Sequence, residues 1–132
     1  MNRSHSCAAG FVLTALLGLG TAKAAPLPAA IRADVDALLT RLQASGCEFN
    51  RNGSWYTGAE ARAHLLKKLD YLERKDMVSS AEQFIERGAS GSSMSGKAYL
   101  VRCAGKSPVE SGPWLKAELQ RLRVARAASA PP

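Results

Sequence analysis

Apolar residues recur at Ile31, Val35, Leu38, Leu39 and Leu42, the i, i+4, i+7, i+8, i+11 spacing of one α-helical face. Gly46 follows as a residue able to take the left-handed conformation that ends such a helix. The pattern then shortens. Cys47-Glu48-Phe49-Asn50-Arg51 and Ser54-Trp55-Tyr56-Thr57 are short alternating or aromatic runs on either side of Asn52-Gly53. Asn-Gly in that setting predicts a type I′ hairpin, because both central residues must hold positive φ. Thr57 with Glu60 three positions on is a capping box, so the chain should turn directly into a second helix. Its apolar face is Ala61, Leu65, Leu66, Leu69 and Leu72, and it should run to about Arg74. Ser79 with Glu82 repeats the box and opens a short third helix through Phe84 and Ile85, stopped by Gly88. Residues 89–97 (ASGSSMSGK) predict a loop, and Ala98 to Cys103 carries β-propensity. Residues 104–113 contain the Gly and Pro of another loop, with Ser111 as an N-cap, and Leu115, Leu119 and Leu122 mark a last helix to about Ala125.

The resulting order, α-β-β-α-α-β-α, describes a small single α+β domain with about four helices. A lone hairpin is marginal in water, so the 98–103 strand is expected to join it in a three-stranded antiparallel sheet packed by the helices. Composition agrees: of 132 residues, 46% are hydrophobic and 22% charged, an ordinary globular balance.

The first 24 residues change the frame. Asn2-Arg3, the apolar run Cys7 to Leu19, and Thr21-Ala22-Lys23-Ala24 before Ala25-Pro26 form the charged, apolar and A-x-A regions of a secretory signal peptide. The apolar run is shorter than the ~20 residues of a membrane anchor, and Cys7 precedes it, where a lipoprotein cysteine would follow. Cleavage after Ala24 is therefore expected to deliver a periplasmic domain, residues 25–126, ending in a disordered AASAPP tail, 127–132. Loss of Arg3 and Lys23 lowers the formal charge from +7 to +5. Loss of Cys7 leaves Cys47 and Cys103, which an oxidising compartment should join as one structural disulfide. They are too far apart for a CxxC redox pair.

Export and composition exclude several chemistries. Gly91 to Lys97 matches the G-x-x-x-x-G-K of a phosphate-binding P-loop, but it follows a helix, precedes a strand and continues into Ala98 instead of Ser or Thr. With one His and two paired Cys in the mature chain, no metal site or cofactor is expected. The basic residues are dispersed along the chain, which gives no nucleic-acid surface; their excess favours anionic envelope polymers or a periplasmic protein partner. Two features remain. Glu60, His64, Lys68 and Tyr71 follow one another as a stripe on the second helix, beside Lys67. The 90–99 loop offers Ser hydroxyls, Gly amides and Lys97, a composition that suits an anion nest or a plain connector. No complete catalytic set is present. The leading expectation is a binding module whose surface combines His64, Lys68, Ser92, Ser93, Ser95, Gly96, Lys97 and Tyr99. The alternative is a small envelope hydrolase or transferase, with His64 as base and one of Ser90, Ser92, Ser93 or Ser95 as nucleophile.

Three segments carry a wider likeness: SGCEFNRNGSWYTGAEARAHLLKKLDYL (45–72), SAEQFIERGASGSSMSGKAYLVRC (80–103) and the Trp114-Leu115 helix. Together they resemble the YfeK-type family of exported bacterial proteins, a domain of unknown function. The resemblance implies periplasmic export and marks His64, Lys68, Ser92, Ser93, Ser95, Gly96 and Tyr99 as motif positions; it implies no reaction or ligand. Ser95-Gly96-Lys97-Ala98-Tyr99 is also similar to the SG-x-x-Y loop of periplasmic lysozyme inhibitors, which implies an inhibitor role. Those inhibitors are mostly β, whereas this chain reads mainly helical, and a basic chain is poorly matched to a basic lysozyme.

Overall fold

The computed structural model describes residues 18–20 and 25–132. The expected leader and its cleavage point lie outside the described residues, apart from 18–20. Helix α1 (Ala29–Ala44) buries the predicted stripe Val35, Leu38, Leu39 and Leu42 against α2 (Gly58–Arg74), α3 (Ala81–Phe84) and α4 (Ser111–Ser129). Gly46 ends α1 at φ +72°. Leu27, in the Pro-rich lead-in, also enters the core.

Strands β1 (Glu48–Arg51) and β2 (Ser54–Tyr56) form the expected hairpin, with Asn52 at φ 51° and Gly53 at φ 88°. Strand β3 (Leu100–Arg102) pairs antiparallel with β1, and the Cys47–Cys103 bond closes that ladder, its Cα atoms 4.3 Å apart. The sheet has a fourth strand that the sequence pattern does not announce. Beyond a turn at Gly105 (φ +72°), β4 (Val109–Glu110) returns beside β3, giving the order β2-β1-β3-β4. Two exposed residues after Pro108 are too short a run for strand propensity to show. One face of the sheet carries Phe49 and Val101 into the core; the other faces solvent, where Arg102 stacks 3.9 Å above the Trp55 ring and pairs with Glu48.

Helix boundaries depart from expectation where side chains have other partners. At α2 the capping box is complete: Glu60 N–H donates to Thr57 Oγ1 (3.2 Å) and Thr57 N–H to Glu60 Oε2 (2.9 Å). At α3 the box is shifted by one residue. Ser80, not Ser79, caps it by accepting from Gln83 N–H at 3.0 Å, while Gln83 Oε1 accepts from Ser79. Glu82 is drawn away by Arg123, which also pairs with Asp34. Gly88 does not stop this helix. It sits within a π-helical turn (Ile85–Ala89) that continues α3, where a Cβ would meet Phe84 and Leu72 at 3.1–3.2 Å. Ser111 is buried inside the first turn of α4 and caps nothing; its hydroxyl donates to Ala89 O and its N–H to Tyr99 O. Helix α4 continues to Ser129, beyond the expected end near Ala125, so 127–129 of the expected tail are helical.

Close approach of α1 and α2 rests on a glycine. A Cβ on Gly58 would lie 3.0 Å from Gln43 Cα and from the carbonyl oxygens of Leu42 and Gln43, all backbone atoms that cannot swing aside. Gly58→Ala is therefore expected to destabilise by about 1–3 kcal/mol in chemical denaturation, the cost of overpacking. An unchanged midpoint would show that the helix ends can separate freely.

Candidate functional site

The β1–β3 register sets Glu48 opposite Arg102 and Asn50 opposite Leu100; continued by one residue, it sets Arg51 opposite Tyr99. Side chains alternate along a strand, so Phe49, Arg51, Tyr56, Tyr99 and Val101 share the face covered by α2. Between that face, α2 and the start of α4 lies a cavity of about 180 Å³. Leu42, Phe49, Ala61, Leu65 and Leu115 supply its apolar wall; Arg51, Tyr56, Glu60, His64, Tyr99 and Ser111 supply its polar groups. A larger hollow of about 490 Å³ lies beside the disulfide, but Arg41, Glu118 and Arg121 on its rim are paired with one another.

Four of the smaller cavity's polar side chains, Arg51, Tyr56, His64 and Tyr99, form one network. Arg51 Nη1 lies 3.2 Å from His64 Nδ1, and Arg51 Nη2 donates to Tyr56 Oη at 3.4 Å. His64 Nε2 lies 3.4 Å from Tyr99 Oη. Lys68 stands outside the cavity wall, behind Tyr99, and donates to Tyr99 Oη at 3.2 Å and to Gly91 O at 3.1 Å.

Proton accounting fixes the direction of these bonds. A guanidinium only donates, so His64 Nδ1 must accept, and the single proton of a neutral imidazole is assigned to Nε2. Nε2–H then donates to Tyr99 Oη, which already accepts from Lys68. The Tyr99 oxygen thus receives two hydrogens and keeps its own to give; Tyr56 stands similarly toward Arg51. The network consequently offers donors to the cavity. Glu60 is the carboxylate on the wall, and its Oε2 is engaged by Thr57 N–H.

Ionisation follows the same logic. Burial holds the His64 pKa below its ordinary value of 6.5, and the charges of Arg51, Lys68 and Lys67 lower it further. Burial, then Arg51, lowers Lys68; burial raises Tyr99. A hydrogen bond from Arg51, together with its charge, lowers Tyr56. Seven other arginines, Arg32, Arg41, Arg74, Arg102, Arg121, Arg123 and Arg126, each pair with a carboxylate, whereas Arg87 donates to Met77 O and Arg62 has no carboxylate partner among the described residues. Among the described residues, neither Arg51 nor Lys68 has a carboxylate within 4.0 Å.

A model of a family of unknown function, DUF5329, matches residues 29–123, which include the whole cavity and network. The chain belongs to the DUF5329 family. It is also 40% identical over 68 residues to "Uncharacterized protein YfeK" of Salmonella typhimurium (strain LT2), a span of 51% of this chain and 55% of that protein. The match thus spans about half the length of this YfeK-like relative. No solved structure matches.

Within this DUF5329 fold the eight expected site residues separate. His64, Lys68 and Tyr99 come together. The serine-rich segment instead folds back on itself: Gly91 bridges Ala98, Ser92 N–H donates to Lys97 O (2.9 Å), and Gly96 takes φ +72°. Ser92 Oγ accepts from the N–H groups of Met94 and Ser95, so the amides of an anion nest are already satisfied internally. Ser95 Oγ donates to Asn52 Oδ1 at 2.7 Å, docking the segment on the hairpin tip. Ser93 and Lys97 are exposed, and Tyr71 is 52% exposed. Ser90 Oγ donates to Ile85 O, and the ring nitrogens of His64 meet Arg51 and Tyr99, so no serine is a hydrogen-bond partner of His64 among the described residues. No three His, Cys, Asp or Glu side chains converge as a metal site among these residues.

Arg51 and Tyr56 were not among the expected site residues. The signal was present in the hairpin itself. An Asn52-Gly53 turn fixes the pairs Phe49–Tyr56 and Arg51–Ser54, which places Arg51 and Tyr56 on the face that Phe49 must bury.

Proposed function

We propose that the chain is an exported, periplasmic binding module that recognises an anionic group, carried by an envelope component or a protein partner, at the Arg51–His64–Tyr99 cavity. The observation that carries this reading is the donor network on the hollow: the Arg51 guanidinium and the Tyr56 and Tyr99 hydroxyls direct hydrogens into it, while His64 and Lys68 donate to Tyr99 Oη and so hold that hydroxyl as a donor. Such a set is satisfied by an acceptor-rich group such as a carboxylate or phosphate. The Cys47–Cys103 bond and the signal-like leader support an oxidising compartment. Among the described residues no helix is long and apolar enough to cross a membrane.

Titration with acetate and with inorganic phosphate, followed by amide chemical shifts, tests the proposal. Saturable changes centred on Arg51, Tyr56, His64 and Tyr99, abolished by Arg51→Ala with an unchanged far-UV spectrum, are expected. Changes scattered over exposed lysines and indifferent to Arg51→Ala would refute it.

A further inference from the structure

The anion-binding reading leaves the rest of the ligand open, and the cavity's shape narrows it. Its donors are not evenly spread. Arg51, His64 and Tyr99 belong to one network, whereas Phe49, Leu65 and Leu115 form a wall with no hydrogen bond to give. A bare inorganic anion would satisfy the network and leave that apolar surface wet. The volume, about 180 Å³, exceeds the ~150 Å³ of an apolar protein cavity able to hold benzene. Glu60 adds a constraint. As the wall's carboxylate it repels a second negative charge, which disfavours dianions relative to monoanions.

We propose that the site takes a small amphiphilic monocarboxylate, with a ring-sized or short branched apolar body against Phe49, Leu65 and Leu115 and its carboxylate on Arg51 and the Tyr99 hydroxyl. This rests on the anion-binding reading and deepens it. Apolar burial and charge recognition act at opposite ends of one molecule, so a neutral isostere and a small hydrophilic anion should each bind more weakly. Removing the carboxylate leaves buried donors unpaired, which costs more than losing a favourable contact.

Calorimetric titration of the protein with benzoate, benzamide, acetate and inorganic phosphate separates the components. Benzoate is expected to bind at least about tenfold more tightly than each of the other three. Ala61→Leu, which extends a side chain into the wall, should weaken benzoate about tenfold more than it weakens acetate. Acetate or phosphate binding as tightly as benzoate would overturn the amphiphile proposal while preserving the anion site. Benzamide binding as tightly as benzoate would overturn both, as would the absence of binding by every anion. Because the ligand series is run on the unaltered protein, a failure of the Ala61 variant to fold leaves the test decisive.

Discussion

Replacing Cys47 and Cys103 together by Ala is expected to lower stability by about 2–5 kcal/mol, and Tm by on the order of 10 °C or more. The bond joins positions 56 apart in sequence, so its loss frees the unfolded chain considerably; the chain-entropy model puts that at about 4 kcal/mol. Native packing has limited means to compensate. The β1–β3 ladder is short, with Glu48, Phe49 and Asn50 as its paired residues on β1, and the disulfide fastens its open end. The opposite end of that ladder carries Arg51 and Tyr99. The bond therefore also maintains the register that brings the cavity's donors together, and the variant should lose anion affinity as it loses stability. A stability change below about 1 kcal/mol would show that helix packing alone holds the strands in place.

The second large effect is a pair of opposite pH dependences centred on His64. Its folded pKa lies below 6.5, whereas the unfolded imidazole titrates near 6.5. Between those values the unfolded chain binds more protons, so stability should decrease as pH falls through 6.5 and level off below the folded value. Binding of an anion beside Arg51 and His64 should do the reverse. A negative charge favours the imidazolium, proton uptake accompanies binding, and affinity should rise as pH falls from 7.5 to 5.5, at most about tenfold per unit for one proton. Thermal melts with and without acetate, together with calorimetry across this range, check both slopes. His64→Gln should flatten them. Affinity that falls with decreasing pH, or slopes untouched by His64→Gln, would mean that this imidazole does not border the ligand.

Much of the fold was legible because local chemistry and long-range packing agree. The α1 stripe, the Asn52-Gly53 turn, the Thr57–Glu60 box and the Cys47–Cys103 pairing each have one dominant local or covalent cause. The departures arise where a tertiary partner competes. Arg123 takes Glu82 and shifts the α3 cap to Ser80 and Gln83, and Ala89 O takes the Ser111 hydroxyl from a capping role. Gly88 lies inside a π-helical turn where a Cβ would crowd Phe84 and Leu72, and strand β4 is defined by its pairing with the edge of β3.

The site divides along the same line. His64 and Lys68 were readable as a stripe because helical spacing alone puts them on one flank. Arg51 and Tyr56 needed the hairpin's facing, which requires knowing that α2 covers the Phe49 side. The serine-rich segment reads from composition as either an anion nest or a connector, because composition shows how many donors exist, not which of them Ser92 already engages.

The central claim, that Arg51 fixes a neutral His64 within a donor-only network facing an anion site, is tested most directly by nitrogen-15 NMR of the His64 ring, assigned by its loss in His64→Gln. The account predicts the Nε2–H tautomer at pH 7, a pKa below 6.5 in the free protein, and a higher pKa with saturating acetate. An Nδ1–H tautomer, or a pKa that acetate leaves unmoved, would contradict it.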